Sequence, residues 1–201
     1  MKVLITGGQG GLAAYLSDEL KRLGHEVEAP SRAQLDVSKP AGVERFFDDK
    51  SYDCVINAAG TLYSSLVADS DPNLWIRDIE VNLIGTYLIS RAAIKANKAV
   101  HLINVASTAA FNSYKDWTSY CAAKAGVVTL SKGLHKDGYK ITVLCPGAID
   151  TKLRDGLTIN NPNVMSIPQG AAPILEAVTT PQHTGKLFFY RLNESRSESL
   201  D

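Results

Sequence analysis

Hydrophobic and polar positions follow two rhythms along the chain. Short apolar runs at 2–6, 26–29, 54–58, 101–106 and 140–145 are rich in Val, Ile and Leu. They have the length and side-chain type of parallel strands covered on both faces. Between them, the stretches at 12–23, 40–47, 74–96 and 117–136 read as helices. Ser38 and Pro40 mark a helix start, and Gly24 and Gly138 mark helix stops. A repeated strand–helix unit predicts an α/β fold, a doubly wound, mostly parallel sheet inside a three-layer sandwich with right-handed crossovers. After Cys145 the rhythm loosens. Pro, Asn and Gly crowd 150–170, which predicts a loop or lid, then a short helix at 171–178 and a last strand at 187–190. The pattern predicts one domain over 1–192, with no internal repeat, and a polar, frayed tail at 193–201.

Composition narrows the picture. A chain of 201 residues can bury a sizeable core. Lys plus Arg and Asp plus Glu both number 21, so the formal net charge is zero and no basic nucleic-acid surface is expected. No apolar run has the length of a membrane span. The chain opens directly on a strand-like Met1-Lys2-Val3-Leu4-Ile5 with no leader pattern. Cys54, Cys121 and Cys145 are odd in number and widely spaced, as expected of buried thiols in a reducing compartment, so a cytoplasmic location is expected. No metal-ligand set is assigned.

Candidate chemistry begins at Thr6-Gly7-Gly8-Gln9-Gly10-Gly11-Leu12, between the first strand and the first helix. Glycines there let the backbone turn tightly and approach a pyrophosphate, whose charge a helix N-terminus favours. The spacing is not the plain G-x-G-x-x-G, and a purely structural turn stays open. No Gly-Lys-Ser/Thr follows, which disfavours a phosphate-loop NTPase. At the end of the second strand stands Ala29-Pro30-Ser31-Arg32. A hydroxyl and a guanidinium in place of an acid suit a ribose 2′-phosphate, although Arg32 could equally be a solvated cation. Asp36, in Leu35-Asp36-Val37, could receive an adenine amino group or serve as a turn carboxylate.

Tyr120 and Lys124 are four residues apart in a helical stretch and share one face. A free tyrosine ionises near pH 10, and a nearby ammonium favours the phenolate, so the pair makes sense as a proton-transfer device. A packed tyrosine beside a surface lysine is the plainer alternative. Ser107 ends the fourth strand, where open parallel sheets bind ligands, and could hold a substrate oxygen; Ser107 and Thr108 could instead simply cap the chain.

Taken together these segments resemble the short-chain dehydrogenase/reductase family. The glycine turn resembles its cofactor turn, and Asn57-Ala58-Ala59-Gly60 resembles its second signature. Asn82 in Asn82-Leu83-Ile84-Gly85-Thr86, Ser107, and Tyr120-Cys121-Ala122-Ala123-Lys124 resemble its catalytic set. Pro146-Gly147-Ala148-Ile149-Asp150-Thr151 resembles its nicotinamide-gripping segment. The motifs occur in family order over essentially 1–190. The resemblance implies a Rossmann-like NADP(H)-dependent oxidoreductase, with NAD(H) possible, that interconverts a small carbonyl compound and its alcohol. It implies catalytic roles for Asn82, Ser107, Tyr120 and Lys124, with Tyr120 as acid/base, Ser107 orienting the oxygen, Lys124 lowering the phenol and holding the ribose, and Asn82 holding a water. It implies cofactor contacts from Gly7, Gln9, Gly10, Gly11, Leu12, Ser31, Arg32, Asp36, Val37, Asn57, Ala58, Ala59, Gly60, Tyr120, Lys124, Pro146, Gly147, Ile149 and Thr151. A homodimer or homotetramer through the 74–96 and 117–136 helices is also implied. Two departures stand out: Ala13 replaces the third glycine, and the chain is shorter than common members after Gly147. The alternatives are a dinucleotide-binding regulator without turnover, and a sugar epimerase or dehydratase of related fold. Tyr114, Trp117, Leu153 and Met165 are candidates for an apolar substrate wall, and Lys152 and Arg154 for contact with an anionic substrate.

Overall fold

A computed structural model describes residues 1–155, 157 and 161–201. Strands β1 (Lys2–Ile5), β2 (Glu26–Glu28), β3 (Cys54–Asn57), β4 (His101–Val105), β5 (Lys140–Pro146) and β6 (Lys186–Arg191) are parallel. β7 (Glu194–Ser199) closes the sheet antiparallel, in the order β2-β1-β3-β4-β5-β6-β7. Because successive side chains of a strand point to opposite faces, an apolar run feeds two cores at once. Leu4, Val55, Leu102 and Val143 enter one core with Val43 of α2 (Pro40–Phe47), Ile89 of α4 (Gly85–Ala96) and Val127 of α5 (Thr118–Lys136). Val3, Ile5, Ile56, Ile103 and Leu144 enter the other with Leu16 of α1 (Gly11–Arg22) and Ile174 of α6 (Ile167–Thr179). The expected doubly wound sandwich is therefore the observed one.

The chain leaves β1 for β2 on one side and returns to β3 on the other. That reversal opens a crevice at the carboxyl ends of β1 and β3, where open α/β sheets bind ligands. Thr6 braces it, its hydroxyl oxygen accepting hydrogen bonds from the Ala58 and Ala59 amides at 3.0 Å each.

Three expectations are corrected. The 74–96 helix is two helices, α3 (Pro72–Ile79) and α4, joined through a wider π-type turn at Glu80–Ile84. The turn lets Gly85 pass Val37 so closely that a methyl there would lie 2.6 Å from Val37 Cγ2. Second, α6 begins at Ile167, because Ser166 and Gln169 form a reciprocal capping box. Third, 193–201 is no frayed tail. β6 and β7 pair from Arg191–Glu194 to Lys186–Ser199, Arg196 stacks 3.8 Å over the Phe189 ring, and Leu200 is fully buried. Part of the expected 150–170 loop, residues 156 and 158–160, lies outside the described residues. Cys54 and Cys145 are buried and Cys121 is half-buried; all three are free thiols. Among the described residues no helix is long and apolar enough to cross a membrane.

Candidate active site

A cleft of about 660 Å³ follows the carboxyl ends of the central strands, within the usual range for small-molecule sites. One end is the glycine turn. Gly7 has φ +78°, and a methyl on it would lie 2.9 Å from Ala59 Cα, so β1 and β3 meet there only through a glycine. Gly10 caps α1 with no side-chain hydrogen bond, which leaves first-turn amides facing the cleft beside Gly11 and Leu12. Gly7, Gln9, Gly10, Gly11, Leu12 and Ala13 all line it.

Next to the turn, Arg32, Asp36 and Val37 line the cleft. Asp36 is more heavily engaged than the sequence suggested. It accepts hydrogen bonds from the Ser38 amide and hydroxyl at 3.1 and 2.7 Å, and faces Arg77 at 3.3 Å and Arg32 at 3.4 Å. Partial burial works to raise the Asp36 carboxyl, but the Ser38 bonds, the Arg77 charge and the Arg32 bond outweigh it and hold it down at about 2. Ser31 is not at the cleft wall. Its hydroxyl and amide both donate to Gln34 Oε1 at 2.9 Å.

The far end gathers Ala58, Ala59, Gly60, Ser107, Tyr120, Lys124, Pro146, Gly147, Ile149 and Thr151. Ser107, Tyr120 and Lys124 are nine-tenths buried or more. Helix α5 puts Tyr120 and Lys124 one turn apart, with Lys124 Nζ 5.6 Å from the Tyr120 ring centroid. The ammonium donates to the Val105 carbonyl at 2.9 Å. The expected lowering of the phenol by Lys124 is not met. Burial leads, Ser107 opposes it, the Asp78 charge and Cys121 add to it, and the Tyr120 phenol is pushed up to about 12. Burial pushes the Lys124 ammonium down to about 8 against the opposing pull of Asp78 and Cys145. A phenol so placed keeps its proton near neutrality.

Above Tyr120 lies an apolar wall. Trp117 meets the Tyr120 ring edge-on at 6.1 Å, and Tyr114 meets Trp117 at 5.0 Å. Leu62, Leu153 and Leu157 share the cleft with them, as do Lys152 and Arg154. Met165 does not; it is buried in the α1–α6 core.

Two further residues singled out in the sequence stand behind the cleft wall rather than in it. Asn57 donates to Asn104 Oδ1 at 2.8 Å and to Ser90 Oγ at 3.2 Å, so its side chain ties β3 to β4 and α4 instead of facing a ligand. Asn82 is fully buried, and its amide donates to the Thr61 and Asp78 carbonyls at 2.8 and 2.9 Å. Sequence reasoning missed Arg77, which lines the cleft and pairs with Asp36, and Asp78, which is buried. The signal for Asp78 was available: an acid four residues before Asn82 on a helix shares its face.

Fold and cleft define a Rossmann-like α/β protein with its site at the strand switch point. The sequence pattern of the family described as short chain dehydrogenase matches residues 31–161. An uncharacterized oxidoreductase of Staphylococcus aureus strain MRSA252 is 35% identical over 191 residues, covering 88% of this chain and 83% of that protein. Its counterpart in strain N315 is 35% identical over 138 residues, covering 65% of this chain, and the matched part spans 60% of that relative's length. A short chain dehydrogenase from Burkholderia cenocepacia J2315, solved in complex with NADP, superposes with a TM-score of 0.80 at 25% identity, covering 89% of this chain and 84% of that one. A gluconate 5-dehydrogenase from the same strain, solved with NADP and tartrate, shares the fold at a TM-score of 0.80 and 19% identity, covering 95% and 93%. The chain belongs to the short-chain dehydrogenase family.

Proposed function

We propose that the protein is an NADP(H)-dependent oxidoreductase that reduces a small carbonyl compound to its alcohol, with Tyr120 as proton donor. The observation that carries this reading is the meeting of Ser107, Tyr120 and Lys124 on the wall of a cleft that starts at an uncapped helix N-terminus. The residues present fit a dinucleotide. The α1 amides and the close-packed Gly7 turn suit the pyrophosphate, Arg32 suits a 2′-phosphate at the adenosine end, and Lys124, Ile149 and Thr151, which line the far end of the cleft, would hold the nicotinamide riboside. When bound, the nicotinamide supplies the hydride to the carbonyl carbon. Ser107 holds the carbonyl oxygen against Tyr120, and the Tyr120 phenol gives that oxygen its proton as the alcohol forms. Tyr120 Oη then recovers a proton from solvent past Lys124. The apolar wall of Tyr114, Trp117 and Leu157 excludes water from the reacting carbon. A cytoplasmic location is part of the same reading.

Anaerobic mixing of the protein with NADPH and a chemically diverse carbonyl panel tests it. Substrate-dependent loss of NADPH absorbance with matching alcohol formation is expected. Saturable NADPH binding without turnover across the panel would instead make the chain a binding module, and turnover without net NADPH consumption would make it an epimerase.

A homodimer belongs to the same proposal. Ile76, Ile84 and Tyr87, on the α3–α4 surface, are 51%, 41% and 45% exposed, an apolar row that a twofold partner helix would cover. Sedimentation at micromolar concentration is expected to give twice the chain mass, and Tyr87→Glu with Ile84→Glu is expected to give the monomer. A monomeric parent would refute this.

A further inference from the structure

Asp78, on α3, is 1% exposed, and the reaction outlined above assigns it nothing. Burying a carboxylate is costly unless its oxygens are met by donors. Four donors meet this one. The Thr61 hydroxyl donates to Oδ1 at 2.6 Å and the Asn82 amide at 3.2 Å. The Tyr63 backbone amide donates to Oδ2 at 3.2 Å and the Ser119 hydroxyl at 2.8 Å. One side chain thus ties the segment after Gly60, the helix of Asn82 and the residue preceding Tyr120.

The consequence for Asn82 is geometric. Its Nδ2 is surrounded by three acceptors, the Thr61 carbonyl, the Asp78 carbonyl and Asp78 Oδ1, which fixes which way the amide faces. Oδ1 is left buried with no partner among the described residues. A methyl on Gly60 would lie 2.9 Å from Asn82 Oδ1 and 3.8 Å from Lys124 Nζ, so the two atoms converge on the space over Gly60. Lys124 itself is 5% exposed and gives its hydrogen bond to an uncharged carbonyl.

We propose that Asp78 is a positioning residue for the proton-transfer group: its carboxylate holds the Asn82 amide so that Oδ1 turns to the space over Gly60 that Lys124 Nζ also approaches, and its negative charge favours the buried Lys124 ammonium. The proposal rests on the functional reading for its kinetic consequence but not for its electrostatic one. The titratable groups facing Lys124 are Asp78 from α3, Cys145 from β5, and Tyr120 one turn back on α5; Tyr120 is in turn faced by Cys121. Of these, Asp78 pulls the ammonium upward most. Taking its charge away disfavours the ammonium and relieves the phenolate, so both ionisations move toward acid.

The test is Asp78→Asn, which keeps the shape, and Asp78→Glu, which keeps the charge. The primary readout needs no ligand: an NMR titration of Cε in isotope-labelled lysine, with Lys124 assigned from Lys124→Met. The parent ionisation near 8 is expected to fall by about one pH unit in Asp78→Asn and to return toward the parent in Asp78→Glu. The pH profile of NADPH-linked turnover is expected to move acidward with it. A Lys124 ionisation that stays put in a folded Asp78→Asn protein overturns the proposal, whatever happens to stability. If Asp78→Asn does not fold, Asp78→Ser, which leaves room for water against the four donors, carries the same readout. Failure of both neutral variants to fold assigns the carboxylate to the fold alone and also overturns it. A parent with no turnover defeats the functional reading while leaving the lysine titration able to decide this one.

Discussion

Replacing Tyr120 by Phe is expected to slow single-turnover hydride transfer by about 10²–10⁴-fold, the range for loss of a general acid. The ring's packing survives the change, since its edge-on contact with Trp117 and its place among Ala109 and Leu62 involve carbon alone. Folding and NADPH affinity should therefore change little. This combination separates the two roles open to a buried tyrosine. A near-parental rate in Tyr120→Phe removes the phenol from the reaction. Unfolding or loss of NADPH binding makes it a packing residue. The direction of catalysis is part of the expectation. A phenol pushed up to about 12 by burial is fully protonated at pH 7, so carbonyl reduction should run over a broad neutral range, and alcohol oxidation should gain only as the pH rises.

Arg32→Ala is expected to weaken NADPH binding by roughly 1–3 kcal/mol, the range for a charge-assisted hydrogen bond, and to leave NADH binding close to the parent. Arg32 is at the cleft and its side chain is 71% exposed, leaning on Asp36 through Nε only. Its remaining donors can turn to a phosphate without breaking a buried contact. Ser31→Ala should cost far less, because the Ser31 hydroxyl is spent on Gln34. Paired titrations at matched salt decide the matter. Equal losses for both cofactors in Arg32→Ala would show that the guanidinium does not read the 2′-phosphate.

The elements that repeat a simple rhythm were legible in the sequence. β1, β3, β4 and β5 are apolar on both faces because helices cover both, and runs such as Cys54-Val55-Ile56 carry that plainly. Tyr120 and Lys124 were legible because helical spacing alone brings them together. What was not legible depended on distant parts of the chain. Glu194-Ser195-Arg196-Ser197-Glu198-Ser199 has no apolar position to mark a buried face; it pairs because β6 offers an open edge and Phe189 a ring for Arg196. Asn57 matched a motif, yet its direction is set by Asn104 and Ser90, 47 and 33 residues away. The Tyr120 phenol could not be judged from one neighbour, since desolvation by the whole site outweighs any single charge. The early start of α6 was legible and overlooked: Ser166-Ile167-Pro168-Gln169 is a capping sequence.

The strand that closes the sheet also governs how copies of the protein can meet. Every residue of β7 is exposed, and it carries Glu194, Arg196 and Glu198 among serines. At the other margin β2 is only three residues long, with Glu26 and Glu28 at its ends. Neither rim offers the long, uncharged ladder on which a second sheet could zip. Growth of the sheet from molecule to molecule is thereby discouraged at both borders. A contact through the helical flanks, of the kind proposed above for Ile84 and Tyr87, would leave both rims as they are.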